Sequence, residues 1–394
     1  MLKVVIALAL VAVALSGACA LLPERYTFNA PLRGMLPLLP APASPDDATL
    51  ASRMRVPDGF RVGVYALGIR NARFLRITPS GDLLVSSPRQ GSVFLVERDA
   101  DGDGRADAVR PLLSGLDRPH GMDFWDDWLY VAEADRVRRV RFDAQARETV
   151  GELETIVTGI PSGGNHWTRT LRFGPDGWMY VSVGSSCNVC EEKEPRRAAM
   201  LRYRPDGSDE QLFATGLRNS VGFDWRPGDA ALYATDNGRD LLGDDFPPCE
   251  LNRLTEGGHY GWPYVNGFGV PDPDLGARAP AAIARAIPPA HGFGAHTAPL
   301  GMAFYRGDAF PAPFAEAAFV ALHGSWNRTR KSGYKVVMLE FGPDGVRESD
   351  FLTGFELDED VIGRPVDVIT APDGALLISD DYAGAIYRVA WVGG

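Results

Sequence analysis

One structural plan recurs six times along this chain, and that repetition restricts the fold more than any other feature. The stretches RFLRITPSGDLLVSSPRQGSVFLVERD (residues 73–99), HGMDFWDDWLYVAEADRVRRVRF (120–142), RTLRFGPDGWMYVSVG (169–184) and SVGFDWRPGDAALYATDNG (220–238) share it. Each has an alternating strand, a turn carrying Asp or Gly, and a second apolar strand ending in small or polar residues. PVDVITAPDGALLISDDYAGAIYRV (365–389) repeats the plan, and residues 299–341 repeat it around a longer turn. The turns TPSG, GPDG and APDG set Pro where φ is fixed and Gly where φ can be positive. Spacings of roughly 45–80 residues, with several strands per unit, predict an all-β fold, a six-bladed β-propeller. A seventh blade would have to hide in residues 255–298, and an open sandwich accounts poorly for six alike units. The strand GFRVGVYALGI at residues 59–69 is predicted to supply the outer strand of the last blade, hiding edges that would otherwise aggregate.

Composition agrees. The 394 residues include 44 Gly and 30 Pro, so turns are frequent and long helices few. Lys and Arg number 40 against 51 Asp and Glu, a formal charge of −11, which argues against a general nucleic-acid binder. Residues 1–20 read as an export signal, with an early Lys, a short apolar run and small residues around Ala18-Cys19-Ala20. That run is short for a bilayer span and lacks a stop-transfer flank, so no transmembrane segment is expected. A lipid on Cys19 is the alternative, weakened because Ser16 rather than an aliphatic residue stands three positions earlier. Pro-rich, aperiodic residues 21–58 are predicted as a tether and residues 59–394 as the propeller. The expected address is exported, periplasmic or secreted. An oxidising compartment makes a Cys187–Cys190 disulfide the expected state of SSCNVCEE, leaving Cys249 buried or paired with one of them. Glu191 follows Cys190, where covalent haem attachment would need His.

In a propeller, the loops at one channel mouth carry function. Just before the first strands stand Arg118 and His120, then Asn165, His166 and Arg169, then Arg218 and Asn219. His296 and Thr297 follow, and Arg364 with Asp367 completes the series. Three of the chain's six His fall at this one repeat position, which favours a shared polar site. The densest acidic segment holds Asp236, Asp240, Asp244, Asp245 and Glu250 amid Gly and Pro. Such hard oxygens suit Ca²⁺, an acidic solvated loop being the other reading. DADGDGRAD (99–107) resembles the first part of an EF-hand loop but has Arg110 where the bidentate Glu would fall, so an acidic turn between blades is equally expected. There is no G-x-S-x-G elbow, no P-loop and no G-x-G-x-x-G on a strand-to-helix unit. A quinone cofactor or direct hydrolysis remains.

NHWTRTLRFGPDG, GLRNSVGFDW, DDFPPCELN, GGHYGWPY and GRPVDVITAPDG, in this order, resemble the soluble quinoprotein sugar dehydrogenases, with L-sorbosone dehydrogenase-like and pyranose dehydrogenase-like members. The likeness runs from about residue 59 to the C-terminus. It implies a six-bladed propeller using pyrroloquinoline quinone (PQQ) and Ca²⁺. By that resemblance His166 is the general base taking the proton of the anomeric hydroxyl, and Arg218 and Asn219 lie over the cofactor. Carbonyls at Gly238 and Arg239 would hold the Ca²⁺ that coordinates PQQ. Glu250 and Tyr260 match a structural Ca²⁺ region, and Arg364 grips a cofactor carboxylate. His120, Thr297 and Arg328 are further expected cofactor contacts, and Asp245 a further metal ligand.

Three departures stand out. Asn165 replaces the Asp that precedes the base in soluble glucose dehydrogenases, Val366 stands where a second Arg is expected, and the cofactor-contacting Lys has only Ser325, Arg328 and Lys331 as substitutes. The expected activity is oxidation of an aldose or sugar aldehyde by hydride transfer to the quinone, with a cytochrome or quinone as electron acceptor. A Ca²⁺-dependent lactonase on a six-bladed propeller and a non-catalytic exported binding propeller are the alternatives.

Overall fold

Short apolar strands leave sheet edges to satisfy and two faces to bury, and stacking the repeats around an axis does both. The computed structural model describes residues 26–31 and 42–393. The export signal expected at residues 1–20, Cys19 included, lies outside them. Blade 1 is Leu75–Ile77, Leu83–Ser87, Ser92–Glu97 and Ala108–Leu113, and blade 2 is Met122–Trp125, Trp128–Ala132, Arg136–Asp143 and Glu148–Thr158. Blade 3 is Leu171–Phe173, Met179–Val183, Ala199–Tyr203 and Gln211–Thr215, and blade 4 is Ser220–Trp225, Leu232–Asp236, Pro248–Leu254 and His291–Ala295. Blade 5 is Pro299–Phe304, Ala318–Leu322, Lys335–Gly342 and Gly345–Leu352. Blade 6 is Pro365–Thr370, Leu376–Asp380 and Ala385–Trp391, completed by Phe60–Leu67 from the other end of the chain. That closing strand pairs antiparallel with Ala385–Trp391, as its position before the first repeat predicts.

Residues 255–298 hide no seventh blade. They contribute Gly258–His259, which runs parallel to the outer strand of blade 3, a two-stranded hairpin, a short helix Pro280–Arg285, and the outer strand of blade 4. Each second strand of blades 1, 3, 4, 5 and 6 is buried along its whole length. Neighbouring blades cover both of its faces, which is why these strands begin as apolar runs without an exposed polar face. Gly81, Gly177 and Gly374 of the predicted turns have φ of +85°, +78° and +82°, so the turn chemistry read from the sequence holds at all three.

Apolar side chains interdigitate at every blade junction. Tyr130, Leu171, Met179 and Tyr203 fill the gap between blades 2 and 3, and Phe319, Val336, Ile378 and Tyr387 that between blades 5 and 6. Part of the predicted tether belongs to this packing. Asp47–Arg53 form a helix whose N-terminus is capped by Asp46 accepting from Thr49 N at 2.8 Å. Leu50 and Met54 of this segment join the core of blades 5 and 6, and Arg55 forms a β-bridge with Thr353. Proline content marked residues 42–58 as aperiodic, but the apolar Leu50 and Met54 anchor them. Among the described residues no helix is long and apolar enough to cross a membrane.

Phe60 locks the closing strand. Its ring meets Phe310, Phe314, Phe351 and Trp391 edge-on at centroid distances of 4.7 to 5.3 Å. Replacing Phe60 by Ala should cost about 3–5 kcal/mol. Urea denaturation checks this, and a loss below about 1 kcal/mol would mean the ring closes without that anchor.

Candidate active site

Antiparallel pairing brings the start of each first strand and the end of each second strand to the same end of the blade. One channel mouth therefore collects at least one polar residue from every repeat. Arg73 comes from blade 1, His120 from blade 2, His166 and Ser185 from blade 3, Arg218, Asn219 and Asp236 from blade 4, His323 from blade 5, and Arg364 and Asp381 from blade 6. Beneath them Phe74, Val221, Leu300 and Val366 form a buried apolar cluster that floors the mouth.

His166 is half-buried, and its Nδ1 lies 2.9 Å from both the carbonyl and the hydroxyl oxygen of Ser185. A carbonyl can only accept, and the Ser185 hydroxyl gives its own proton to Cys187 O at 2.7 Å. Nδ1 therefore carries the hydrogen, leaving the lone pair on Nε2. Burial, and then the Arg218 charge, push the ring's pKa down to about 3, so it is neutral at physiological pH. Asn219 stands beside it. A Cβ built on Gly184 would lie 2.6 Å from both Asn219 Oδ1 and His166 Cβ, so only a glycine admits both side chains.

Arg218 sits in a cage of oxygens. Its Nε donates to Asn188 O at 3.0 Å, Nη2 to Asn188 Oδ1 at 2.8 Å and to Asp240 Oδ2 at 3.0 Å, and Nη1 to the carbonyls of Asn237 and Gly238 at 3.1 and 2.9 Å. Asn188 also accepts from Asp240 N at 2.8 Å. The Cys187–Cys190 disulfide, present as expected, encloses Asn188, and Ser185 lies just before it. One short cross-linked loop thus orients both His166 and Arg218. Burial alone would raise the Asp240 carboxyl, but His296 and Arg218 outweigh it and hold it below the usual range.

Across the mouth, Asp381 accepts from Arg73 Nη1 at 2.8 Å and pairs with His323 Nε2 at 2.9 Å. His323 and Arg73 outweigh burial and keep the Asp381 carboxylate charged. Arg364 donates to the carbonyls of His323 and Gly324 and lies over the Tyr334 ring at 5.7 Å. Burial, followed by Arg364, pushes His323 down to about 4. His120 packs 4.2 Å from the Phe74 ring and edge-on to Trp167, with its Nε2 buried and unpartnered. Arg73 Nε and Asn219 Oδ1 are likewise buried without a partner.

His166, Arg218, Asn219, His120 and Arg364 thus gather at this mouth, whereas several other expected site residues are engaged elsewhere. The Thr297 hydroxyl donates to Gly294 O at 2.8 Å, and Arg328 reaches Asp244 O and the carboxylate of Asp245, itself exposed. Arg169 is spent on carbonyls of its own loop, and Arg118 is exposed. The guanidinium of Arg239 is buried against Asp272 and Asp274, a contact of the side chain and not of the backbone carbonyl expected at Ca²⁺, and the Tyr260 hydroxyl donates to Arg253 O. Asp236 and Glu250 are cross-strand neighbours; burial raises Asp236 to about 7, and burial with the Asp236 charge raises Glu250 to about 8.

The five carboxylates expected to converge on a cation therefore do not all meet: Asp236 and Glu250 face each other, while Arg218, Arg328 and the Thr329 hydroxyl draw Asp240, Asp245 and Asp244 aside. Among the described residues, the carboxylates of Asp99, Asp101 and Asp107 lie close enough to share a metal, whereas the Cys187 and Cys190 sulfurs near Glu192 are tied up in their disulfide. In the acidic group, Asp99 accepts from the backbone N–H of Gly102 and Gly104 at 2.7 and 2.8 Å, as an acidic turn does. Cys249 is buried and free. Sequence reading missed Arg73, Ser185, Asn188, His323 and Asp381. The signal for three of these was the polar end of the second strand in each repeat (VSVGSS, VALHG, LISDD), which lies at the same mouth.

Two outcomes follow from this geometry. Because the folded-state pKa of His166 lies below its unfolded value near 6.5, the ring stays neutral as pH falls from 7 to 5, and an NMR titration of the imidazole should show no protonation there. Relative to His166→Gln, the wild type should lose stability as pH falls from 6.5 toward 3. Separately, Gly184→Ala should cost about 1–3 kcal/mol by overpacking and shift the His166 resonances, read by denaturation and NMR.

The family described as a domain of unknown function (DUF7133) matches residues 79–393. An uncharacterized protein of Borreliella burgdorferi is 31% identical over 356 residues, covering 86% of this chain and 91% of that protein. A pyrroloquinoline quinone-dependent pyranose dehydrogenase of Coprinopsis cinerea is 25% identical over 416 residues, covering 87% of this chain and 55% of that enzyme, so the chain spans about half its length. The solved calcium structure of a Trichoderma reesei carbohydrate-active enzyme of family AA12 matches with a TM-score of 0.74 at 22% identity, covering 86% of this chain and 97% of that one. The six-bladed fold and the resemblance to soluble PQQ-dependent sugar dehydrogenases are both borne out. The chain belongs to the DUF7133 family, and its propeller is built like those sugar dehydrogenases.

Proposed function

We propose that the protein is a PQQ-dependent oxidoreductase that converts an aldose or sugar aldehyde to the lactone or acid, with His166 as general base. One observation carries the reading: His166 has its Nδ1 proton committed to Ser185, leaving the Nε2 lone pair free in a mouth that also holds Arg73, Arg218 and Arg364. PQQ is a tricarboxylate quinone, and when bound it supplies the hydride acceptor. The polar set suits it, since Arg73 and Arg364 keep N–H donors at this mouth, Arg218 adds its charge from within its oxygen cage, and the buried Nε of Arg73, Nε2 of His120 and Oδ1 of Asn219 lack partners. The relatives named above support the same reading.

At the base, Nε2 removes the proton of the sugar hydroxyl. The Arg218 charge keeps the ring unprotonated beforehand, and Asp240 partly offsets that charge once an imidazolium forms. Arg364 and Arg73 would hold cofactor carboxylates, each steadied from behind by the His323–Asp381 pair or its carbonyl. Ca²⁺ is part of the proposal at the backbone carbonyls of Gly238 and Arg239, hard oxygens of the kind that ion takes, with Gly238 O shared with Arg218 Nη1. Export to the periplasm or beyond is supported by the Cys187–Cys190 disulfide.

Purified protein mixed with PQQ and Ca²⁺ should retain the cofactor's absorbance through desalting and reduce an artificial acceptor with aldoses or sugar aldehydes. His166→Gln should keep the absorbance and lose about 10²–10⁴-fold in turnover. Neither retention nor dye reduction in the wild type would overturn the reading.

A further inference from the structure

The opposite end of the channel holds a second charged cluster that the first mouth does not use. Arg76, Asp123, Arg172 and Asp224 occupy the same register position in the first strands of blades 1 to 4, each opposite the equivalent residue of its neighbour, Leu84, Tyr130, Tyr180 and Tyr233. Arg306, just past the first strand of blade 5, reaches back to the same belt. Arg76 Nη2 lies 2.5 Å from Asp123 Oδ1, Arg172 Nη1 lies 3.3 Å from Asp224 Oδ1, and Arg306 brackets Asp224 at 2.6 and 2.9 Å. Three guanidinium groups share two carboxylates.

The two signs are not equally presented. Asp123 and Asp224 side chains are each 1% exposed, whereas those of Arg76, Arg172 and Arg306 are 26%, 18% and 45% exposed. These three arginines, with Arg226 at the rim, line an open cavity of about 600 Å³ walled by Trp225 and Phe304. Like charges crowd there: burial first, then Arg172 and Arg306, hold Arg76 below its usual value against the pull of Asp123 and Asp224. Asp367, the remaining carboxyl nearby, accepts from Leu75 N at 2.9 Å inside the channel and is pushed up to about 7 by burial. Little joins the two ends, because the space between them, lined by Phe74, Leu171 and Met302 among others, is only about 20 Å³.

We propose that this second mouth is a binding site for a small polyvalent oxyanion, a phosphate or polycarboxylate, held by Arg76, Arg172 and Arg306. Guanidinium groups match the oxygens of either anion. Arg76 and Arg172 keep free N–H donors, while Arg306, whose Nη atoms donate to Asp224 and to the carbonyls of Phe304 and Trp225, offers its Nε–H and its charge. The buried carboxylates orient the three groups while leaving one positive charge in excess. The site is independent of the proposed sugar oxidation and of the mouth where His166 lies.

Titration of the full-length chain with inorganic phosphate, and separately with citrate, against chloride at matched ionic strength tests it by calorimetry and thermal shift. The expected result is saturable binding that raises Tm with at least one of the two anions, at an affinity at least tenfold weaker in Arg306→Gln. That variant leaves Asp224 paired with Arg172, and Arg226→Gln, a rim change, offers a second readout with a smaller loss. Binding should persist in Arg364→Gln. The proposal is overturned if neither anion saturates beyond the chloride control, if Arg306→Gln binds as tightly as wild type, or if Arg364→Gln abolishes the effect and so moves the anion to the other mouth.

Discussion

Closure of the ring is the constraint from which the rest follows. The hydrogen bonds between Phe60–Leu67 and Ala385–Trp391 join chain positions more than three hundred residues apart. Without them blade 6 would expose an edge, and the first strands of the six blades would have no common axis. With them, every first strand starts at one mouth, so a single polar residue per repeat becomes a ring of polar residues. The apolar blade junctions make that ring rigid, since the second strands of five blades are packed on both faces along their whole length.

Electrostatics within the ring run against the composition. The chain is acidic overall, yet both ends of its channel present guanidinium groups, because the acids near them are turned inward as partners. Asp381, Asp240 and Asp224 are each held charged by neighbouring cations despite burial, so they act as fixed counter-charges that orient those cations. Breaking such a pair would leave a buried charge uncompensated, which is costlier than the pair is stabilising. At the proposed catalytic mouth this arrangement produces a neutral His166 beside a caged Arg218. The disulfide-bounded loop is the mechanical link between the two, through Ser185 on one side and Asn188 on the other.

The expected convergence of five carboxylates illustrates where residue types mislead. Asp236, Asp240, Asp244, Asp245 and Glu250 are close in sequence, and proximity alone suggested a shared cation. In the fold, strand pairing places Asp236 opposite Glu250, while the intervening loop turns Asp244 and Asp245 toward Arg328 and Thr329 of blade 5. Composition cannot report such partners, because they come from a segment eighty residues away. The same applies to Arg239, whose place in the acidic run gave no hint of the buried pair it forms with Asp272.

The sequence by itself determined the six-bladed ring, its closing strand, the turns and one half of the mouth, because those depend on periodicity and local φ preferences that each repeat carries within itself. His166, Arg218 and Arg364 were legible for the same reason: they recur at one repeat position. Tertiary structure alone decided which side chains meet across blades. His323 and Asp381 pair between blades 5 and 6, Arg76 and Asp123 between blades 1 and 2, and Leu50 draws the supposed tether into the core. Such contacts join residues whose distance apart along the chain carries no local signal, and only the closed geometry of the ring brings them together.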